Sequence, residues 1–165
     1  LYHHPVMTDY DQPSPGVGSG APLYSTRGIV IGTILGSLAA GVLMISLNYL
    51  ALGRANLAKS VGLAGIAVFL AFIGVTFLVP QTLVIALLLS IIQASIAYFL
   101  TDRLQGAAIA YHTEHGGSMH SSVRAALVGF LTGTTLFFLL VIIASLWMVV
   151  TGQVPDMPAQ APGPT

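Results

Sequence analysis

Apolar residues fill this chain in long blocks that charged residues separate. No Asp, Glu, Lys or Arg lies between Arg27 and Arg54, between Lys59 and Asp102, or between Arg124 and Asp156. Within the blocks the apolar positions run on continuously, as in "GIVIGTILGSLAAGVLMISLNYLAL", and do not alternate with polar ones. Membrane β-strands would alternate with period two, so this pattern predicts helices. Each crossing of the hydrocarbon needs about 20 apolar residues. The first and last blocks supply one span each, near 28–52 and 125–151. The middle block is about twice that length and carries Pro80 in "FLVPQTL". Proline lacks an N–H and pushes the residue before it out of helical geometry. The block therefore divides into spans near 58–79 and 81–102, joined by a turn at the membrane surface.

The expected fold is all-α, an integral membrane four-helix bundle over 28–151, with a polar loop at 103–124. Pro/Gly-rich tails flank it: 1–27 contains "DQPSPGVGSGAP" and 152–165 contains "VPDMPAQAPGPT". Such segments cannot form a core. Residues 1–27 have no apolar centre, so no secretory signal peptide is expected there. The chain opens on Leu1, and Met7 would make an equally sensible start.

Composition agrees with a membrane setting. Charged residues are 6% of the chain and apolar types 55%, against roughly 25% charged in soluble domains. Five basic residues balance five acidic ones, leaving no field expected to attract nucleic acid or anionic lipid. The chain has no cysteine, which excludes disulfides, thiolate metal sites and cysteine nucleophiles. Arg54, Lys59, Arg103 and Arg124 fall in the connections 53–59 and 103–124, and only Arg27 falls outside them. The positive-inside rule then puts both connections in the cytoplasm and both termini outside.

Small residues recur every four positions at Gly28, Gly32, Gly36 and Ala40, and again at Ala125, Gly129 and Gly133. Such rows let helix backbones approach closely. They suit packing between the first and fourth spans, or contact with another subunit. Intramembrane polar groups are few: Asn48, Tyr49 and Gln93, the last near Ser90 and Ser95. These are expected to hydrogen-bond between helices, and a substrate contact is the alternative for Asn48 and Gln93. No ionisable residue lies deep in a span, and no interrupted helix is expected. Both features argue against ion-coupled transport and buried haem.

The stretch "AYHTEHGGSMHSS" gathers three of the five histidines. A helix continuing from the third span would place His112 and His115 on one face, a spacing that suits two ligands of one metal, with Glu114 or His120 completing the set. Gly116 and Gly117 would end that helix, and Ser121 or Ser122 would cap the next. The competing reading is an interfacial elbow whose imidazoles make ordinary hydrogen bonds. No triad or paired carboxylates can be assembled, so an enzyme is not expected. No cofactor is expected either.

The segment "APLYSTRGIVIGTILGSLAAGVLMISLNYLALGR" resembles the opening of a group of small four-helix bacterial inner-membrane proteins. The later "QGAAIAYHTEHGGSMHSS" is similar to their polar loop before the last helix. The resemblance implies a bacterial inner membrane and four helices, and it assigns no activity and no site residue.

The functional expectation is a non-catalytic accessory or assembly subunit of a larger membrane complex. Its partners would be the lipid bilayer and other membrane-protein subunits or further copies of itself. One alternative is a small homo-oligomeric channel or carrier for a neutral solute. Another is a metal-binding or metal-sensing protein that uses the histidine loop.

Overall fold

The computed structural model of the protein describes residues 20–152. Four helices hold nearly all of them: α1 (Thr26–Ala51), α2 (Ala55–Leu78), α3 (Leu83–Glu114) and α4 (Ser122–Thr151). Each is long and apolar enough to cross a membrane. Apart from an isolated bridge between Leu23 and Met119, the regular structure among the described residues is helical. The tails at 1–19 and 153–165, including His3 and His4, lie outside the described residues.

Local chemistry sets the ends. The Ser25 hydroxyl accepts from the Gly28 N–H at 3.1 Å and starts α1. Ser121 does the same for Arg124 at 3.2 Å before α4. At the end of α1, Gly53 N–H donates to the Leu50 carbonyl and Arg54 N–H to that of Tyr49. This paired pattern needs a left-handed residue, and Gly53 supplies it at φ 72. Gly116 (φ 74) repeats the arrangement after α3, with Gly117 N–H donating to the His112 carbonyl. Pro80 sits between α2 and α3, where its missing N–H removes no helical bond.

α1 departs from the expected single crossing. Ser37 lies inside it at φ 73, ψ 175, and the chain doubles back there. Tyr24 and Asn48 exchange hydrogen bonds of 2.7 and 2.8 Å, although a straight α1 would be about 39 Å long at 1.5 Å per residue. The Met44 side chain lies on Gly32, and Thr33 lies on Gly41. Residues 26–36 and 38–51 are therefore the two limbs of a helical hairpin. At about 16 and 21 Å, the limbs are about half and two-thirds as long as a hydrocarbon layer of about 30 Å is thick. The expectation of no interrupted helix is overturned at the same place.

The hairpin is the centre of the unit ending at Gly133. Its returning limb packs on α2, where Gly65 meets Val42, and on α3, where Gly41 approaches Ala97. The buried core is Tyr24, Ile29, Leu38, Ala40, Val42, Met44, Ile45, Tyr49, Ala58, Ala97 and Ala125, and most of these belong to the hairpin or its entry. The outgoing limb meets the start of α4. A second unit begins at Thr134, and its helical residues 134–151 are almost wholly exposed.

The fold-back also moves the amino-terminal entry. Leu23 N–H donates to the Ser118 carbonyl (3.2 Å), and His120 N–H donates to the Leu23 carbonyl (2.8 Å). The entry at 20–25, the turn at 52–54 and the loop at 115–121 thus share one end of the first unit. The expected separation of the amino-terminal entry from the 103–124 loop does not hold.

Candidate functional site

Two polar clasps, one at the base of the hairpin and one at its tip, hold the site together. At the base, Asn48 is 1% exposed. Its Oδ1 accepts from the Tyr24 N–H, and its Nδ2 donates to the Tyr24 carbonyl. The same Nδ2 donates to Gln105 Oε1 at 3.0 Å, and Gln105 Nε2 donates to the Ile45 carbonyl at 2.7 Å. Tyr49 donates its hydroxyl to the Leu104 carbonyl at 3.0 Å. Tyr24 is extended chain with no helical partner for its backbone, so the carboxamide of Asn48 serves as that partner. A backbone group left unpaired in this buried clasp would cost about 1–3 kcal/mol.

At the tip, the break at Ser37 starts the returning limb in the interior. The first N–H groups of a helix have no partner within it. Gln93 Oε1 accepts from the Leu38 N–H at 2.8 Å, so the side chain from α3 caps the limb. Thr33 is buried and donates its hydroxyl to its own helix at the Ile29 carbonyl. The Ser37 and Ser46 hydroxyls are buried without a hydrogen-bond partner.

Ser37 occupies a backbone region that glycine alone tolerates well, at a strain of about 1–3 kcal/mol. Ser37→Gly is expected to stabilise the protein by about 1 kcal/mol, measured by SDS-induced unfolding in mixed micelles. Ser37→Val should shift the transition in the opposite direction.

Gln93, Ala97, Thr101 and Gln105 stand four residues apart on α3, and the last three are buried. That row is the surface on which the returning limb lies. It links both clasps, and the Gln-x3-Ala-x3-Thr-x3-Gln spacing is the signal that could have found Gln105. With the third span ended near residue 102, Gln105 falls in the loop and its role is missed.

The small residues meet as two helix faces. Gly28 lies against Ala125, Gly32 against the backbone at Ala125 and Gly129, and Gly36 against Gly129 and Gly133. A methyl group on Gly36 would overlap the Gly129 carbonyl, so only hydrogen fits there. Ala40 does not continue this row. The reversal at Ser37 carries it to the returning limb, where it is buried.

The histidines are not brought together. His112 Nε2 donates to the Ser118 carbonyl at 3.0 Å, and His115 Nδ1 donates to that of Tyr111 at 2.8 Å. His115 also stacks on Tyr111 (3.9 Å between centroids), while His120 lies 4.4 Å from the Tyr24 ring. Among the described residues no three His, Asp or Glu side chains form a group that could hold a metal. Glu114 ends α3 and is exposed.

His120 has a lowered pKa, first because burial disfavours the imidazolium and then because Arg124 repels it. Between that lowered value and the ordinary 6.5, the unfolded chain binds more protons than the folded one. Stability therefore falls as pH drops through this window and levels off below it. The protection factor of the His120 amide, which donates to Leu23, should decline from pH 7.5 to 5.5. A His120→Asn variant should show no such dependence.

The chain matches no protein-family profile, no curated protein and no solved structure.

Proposed function

We propose that the protein is a non-catalytic accessory or assembly subunit of a membrane complex in a bacterial inner membrane. The observation that carries this reading is the depth of the core. Beyond the hairpin tip, α2 and α3 continue with apolar side chains that nothing in the first unit covers. Phe77 and Leu78 are 83% and 84% exposed, and Leu83 and Val84 follow the same pattern, while Leu87 and Ile91 share an open groove with Val30 and Ile34. Lipid tails cover such a surface without cost, so its exposure alone selects no partner. The asymmetry does: one end has a clasped, closely packed core, and the other offers helices with no shared centre. The polar side chains that would line a passage are already engaged, Asn48 with Tyr24 and Gln105, and Gln93 with Leu38.

Photo-crosslinking in the native membrane tests the reading. A photoreactive residue at Phe77 or Leu87 should give a discrete protein adduct, and one at the buried Ile29 should give none. Native mass spectrometry after mild extraction should show the same partner in fixed stoichiometry. A protein that gives only lipid adducts and runs as a lone monomer contradicts the proposal.

The break at Ser37 favours a second reading, a homo-oligomeric channel or carrier for a neutral solute. Interrupted helices with buried polar groups at mid-depth build substrate sites in many transporters, and the Ser37 hydroxyl has no partner. Glycerol or urea flux into proteoliposomes that exceeds protein-free vesicles and falls in Ser37→Val would support it. Flux equal to the protein-free rate would end it.

A further inference from the structure

The fold-back at Ser37 sorts the charges of the chain in a way the linear order hides. The chain holds five basic residues: Arg27, Arg54, Lys59, Arg103 and Arg124. Arg27 precedes the first apolar block, so a straight α1 would set it apart from the others. In the hairpin all five stand at one end.

Their levels follow from contacts. Gly28 lies against Ala125, so Arg27 and Arg124, each one residue outward, share a level. Asn48 pairs with Tyr24, which puts the Asn48–Tyr49 end of the returning limb beside the start of the outgoing one. Tyr49 reaches the Leu104 carbonyl, and Arg103 is the residue just before Leu104 on α3. A methyl group placed on Gly62 would lie 3.6 Å from the Ser46 hydroxyl, so the two residues face each other. Lys59 is three residues outward from Gly62, as Tyr49 is from Ser46.

Each of the four helices thus contributes one cation to a single level, and Arg27, Lys59, Arg103 and Arg124 are all exposed. The carboxylates among the described residues are Asp102 and Glu114, so positive charge predominates at this end. The other end of the first unit, the 79–82 connection, has no charged residue, and none lies between Lys59 and Asp102.

We propose that this collar seats the protein in the phosphate layer of the cytoplasmic leaflet and binds the headgroups of anionic phospholipids. A cation at the end of each helix meets a phosphate, and the carboxylates among the described residues, Asp102 and Glu114, are too few to neutralise the ring. Cytoplasmic excess of Lys and Arg sets membrane orientation, so the 20–25 entry, the 52–54 turn and the 115–121 loop all face the cytoplasm. The 79–82 connection faces the other way. Each Lys or Arg at a negatively charged surface is worth about fivefold in affinity.

The test uses the full chain in mixed micelles with phosphatidylglycerol or phosphatidylcholine as the probe. Bound lipid is counted by native mass spectrometry. Phosphatidylglycerol should be retained at least about fivefold over phosphatidylcholine, and the preference should fade as salt rises. The R27Q/K59Q/R103Q/R124Q variant should lose it. Equal retention of the two lipids by the unaltered protein overturns the proposal, whatever that variant does.

Because the chain has no cysteine, Ala21→Cys, Ser118→Cys and Gln81→Cys each give a unique thiol. In sealed inverted vesicles a membrane-impermeant maleimide should label the first two and spare the third. Labelling of Gln81→Cys, or of only one of the other two, overturns the orientation.

Discussion

Gly36→Leu is expected to separate the hairpin from α4. A side chain at Gly36 would meet the carbonyl and Cα of Gly129. These are backbone atoms that no rotamer change can move aside. Overpacking against side chains costs about 1–3 kcal/mol, and a contact with backbone belongs at or above the top of that range. Gly129→Leu should behave alike, because a side chain there meets the Gly32 backbone. The two changes share one interface, so their effects should not add. A Gly28→Cys/Ala125→Cys pair reports on the contact directly. A side chain at Gly28 would approach Ala125 Cβ at 3.2 Å, close to the roughly 3.8 Å that a disulfide spans between Cβ atoms. The disulfide should form in the otherwise cysteine-free protein and fail to form when Gly36→Leu is added. Efficient crosslinking in that background would mean that the two helix faces do not meet as described.

Asn48→Ala should be the most damaging polar substitution. It leaves the Tyr24 N–H, the Tyr24 carbonyl and Gln105 Oε1 without their present partner. Each unsatisfied buried group costs about 1–3 kcal/mol. Interhelical hydrogen bonds in membranes average only about 0.6 kcal/mol, because the unfolded chain in lipid also finds partners. The clasp joins an extended segment to a helix, and its loss frees backbone groups that lack any helical alternative. The desolvation cost therefore outweighs the smaller average, and about 3 kcal/mol is expected. Asn48→Asp should recover part of the loss, since it keeps the acceptor for the Tyr24 N–H. Gln105→Ala should cost less, because it breaks one side of the clasp only. A double-mutant cycle between Asn48 and Gln105, read by SDS unfolding in micelles, measures their coupling. Coupling near zero would show that Gln105 is a bystander.

The sequence made the helices legible and hid the reversal. The uncharged blocks gave three of the four helices nearly to their ends, because apolar length and the proline at 80 are local signals. The continuation of α3 beyond the apolar block, the stop at Gly116 and the cap at Ser121 were legible for the same reason. The hairpin was not, because a run of 26 residues that suffices for one crossing also suffices for two shorter limbs. The choice between them rests on partners distant in the chain: Gln93 for the Leu38 N–H, and Asn48 with Gln105 for Tyr24.

One local hint existed. Gly36–Ser37 is a glycine–serine pair of the kind found at helix kinks, but the regular glycine spacing across it reads as one straight face. Ala40 illustrates the error, since four-residue spacing places it with Gly36 only if the helix does not turn. The histidines left two readings open in the sequence, shared ligation and an elbow with ordinary hydrogen bonds. His112 and His115 are close enough on α3 to suggest shared ligation, yet each ring bonds a carbonyl, and the His120 ring lies against that of Tyr24.

The re-entrant hairpin is the claim on which the clasps, the collar and the arrangement of the ends all depend. Pulsed electron resonance between spin labels at Ala21→Cys and Ala55→Cys, in a lipid bilayer, addresses it most directly. Limbs packed side by side stand about 8–10 Å apart, so with label arms the distance should fall below about 25 Å. A continuous α1 would separate the labels by its own length of about 39 Å or more, and a distribution centred there would contradict the account.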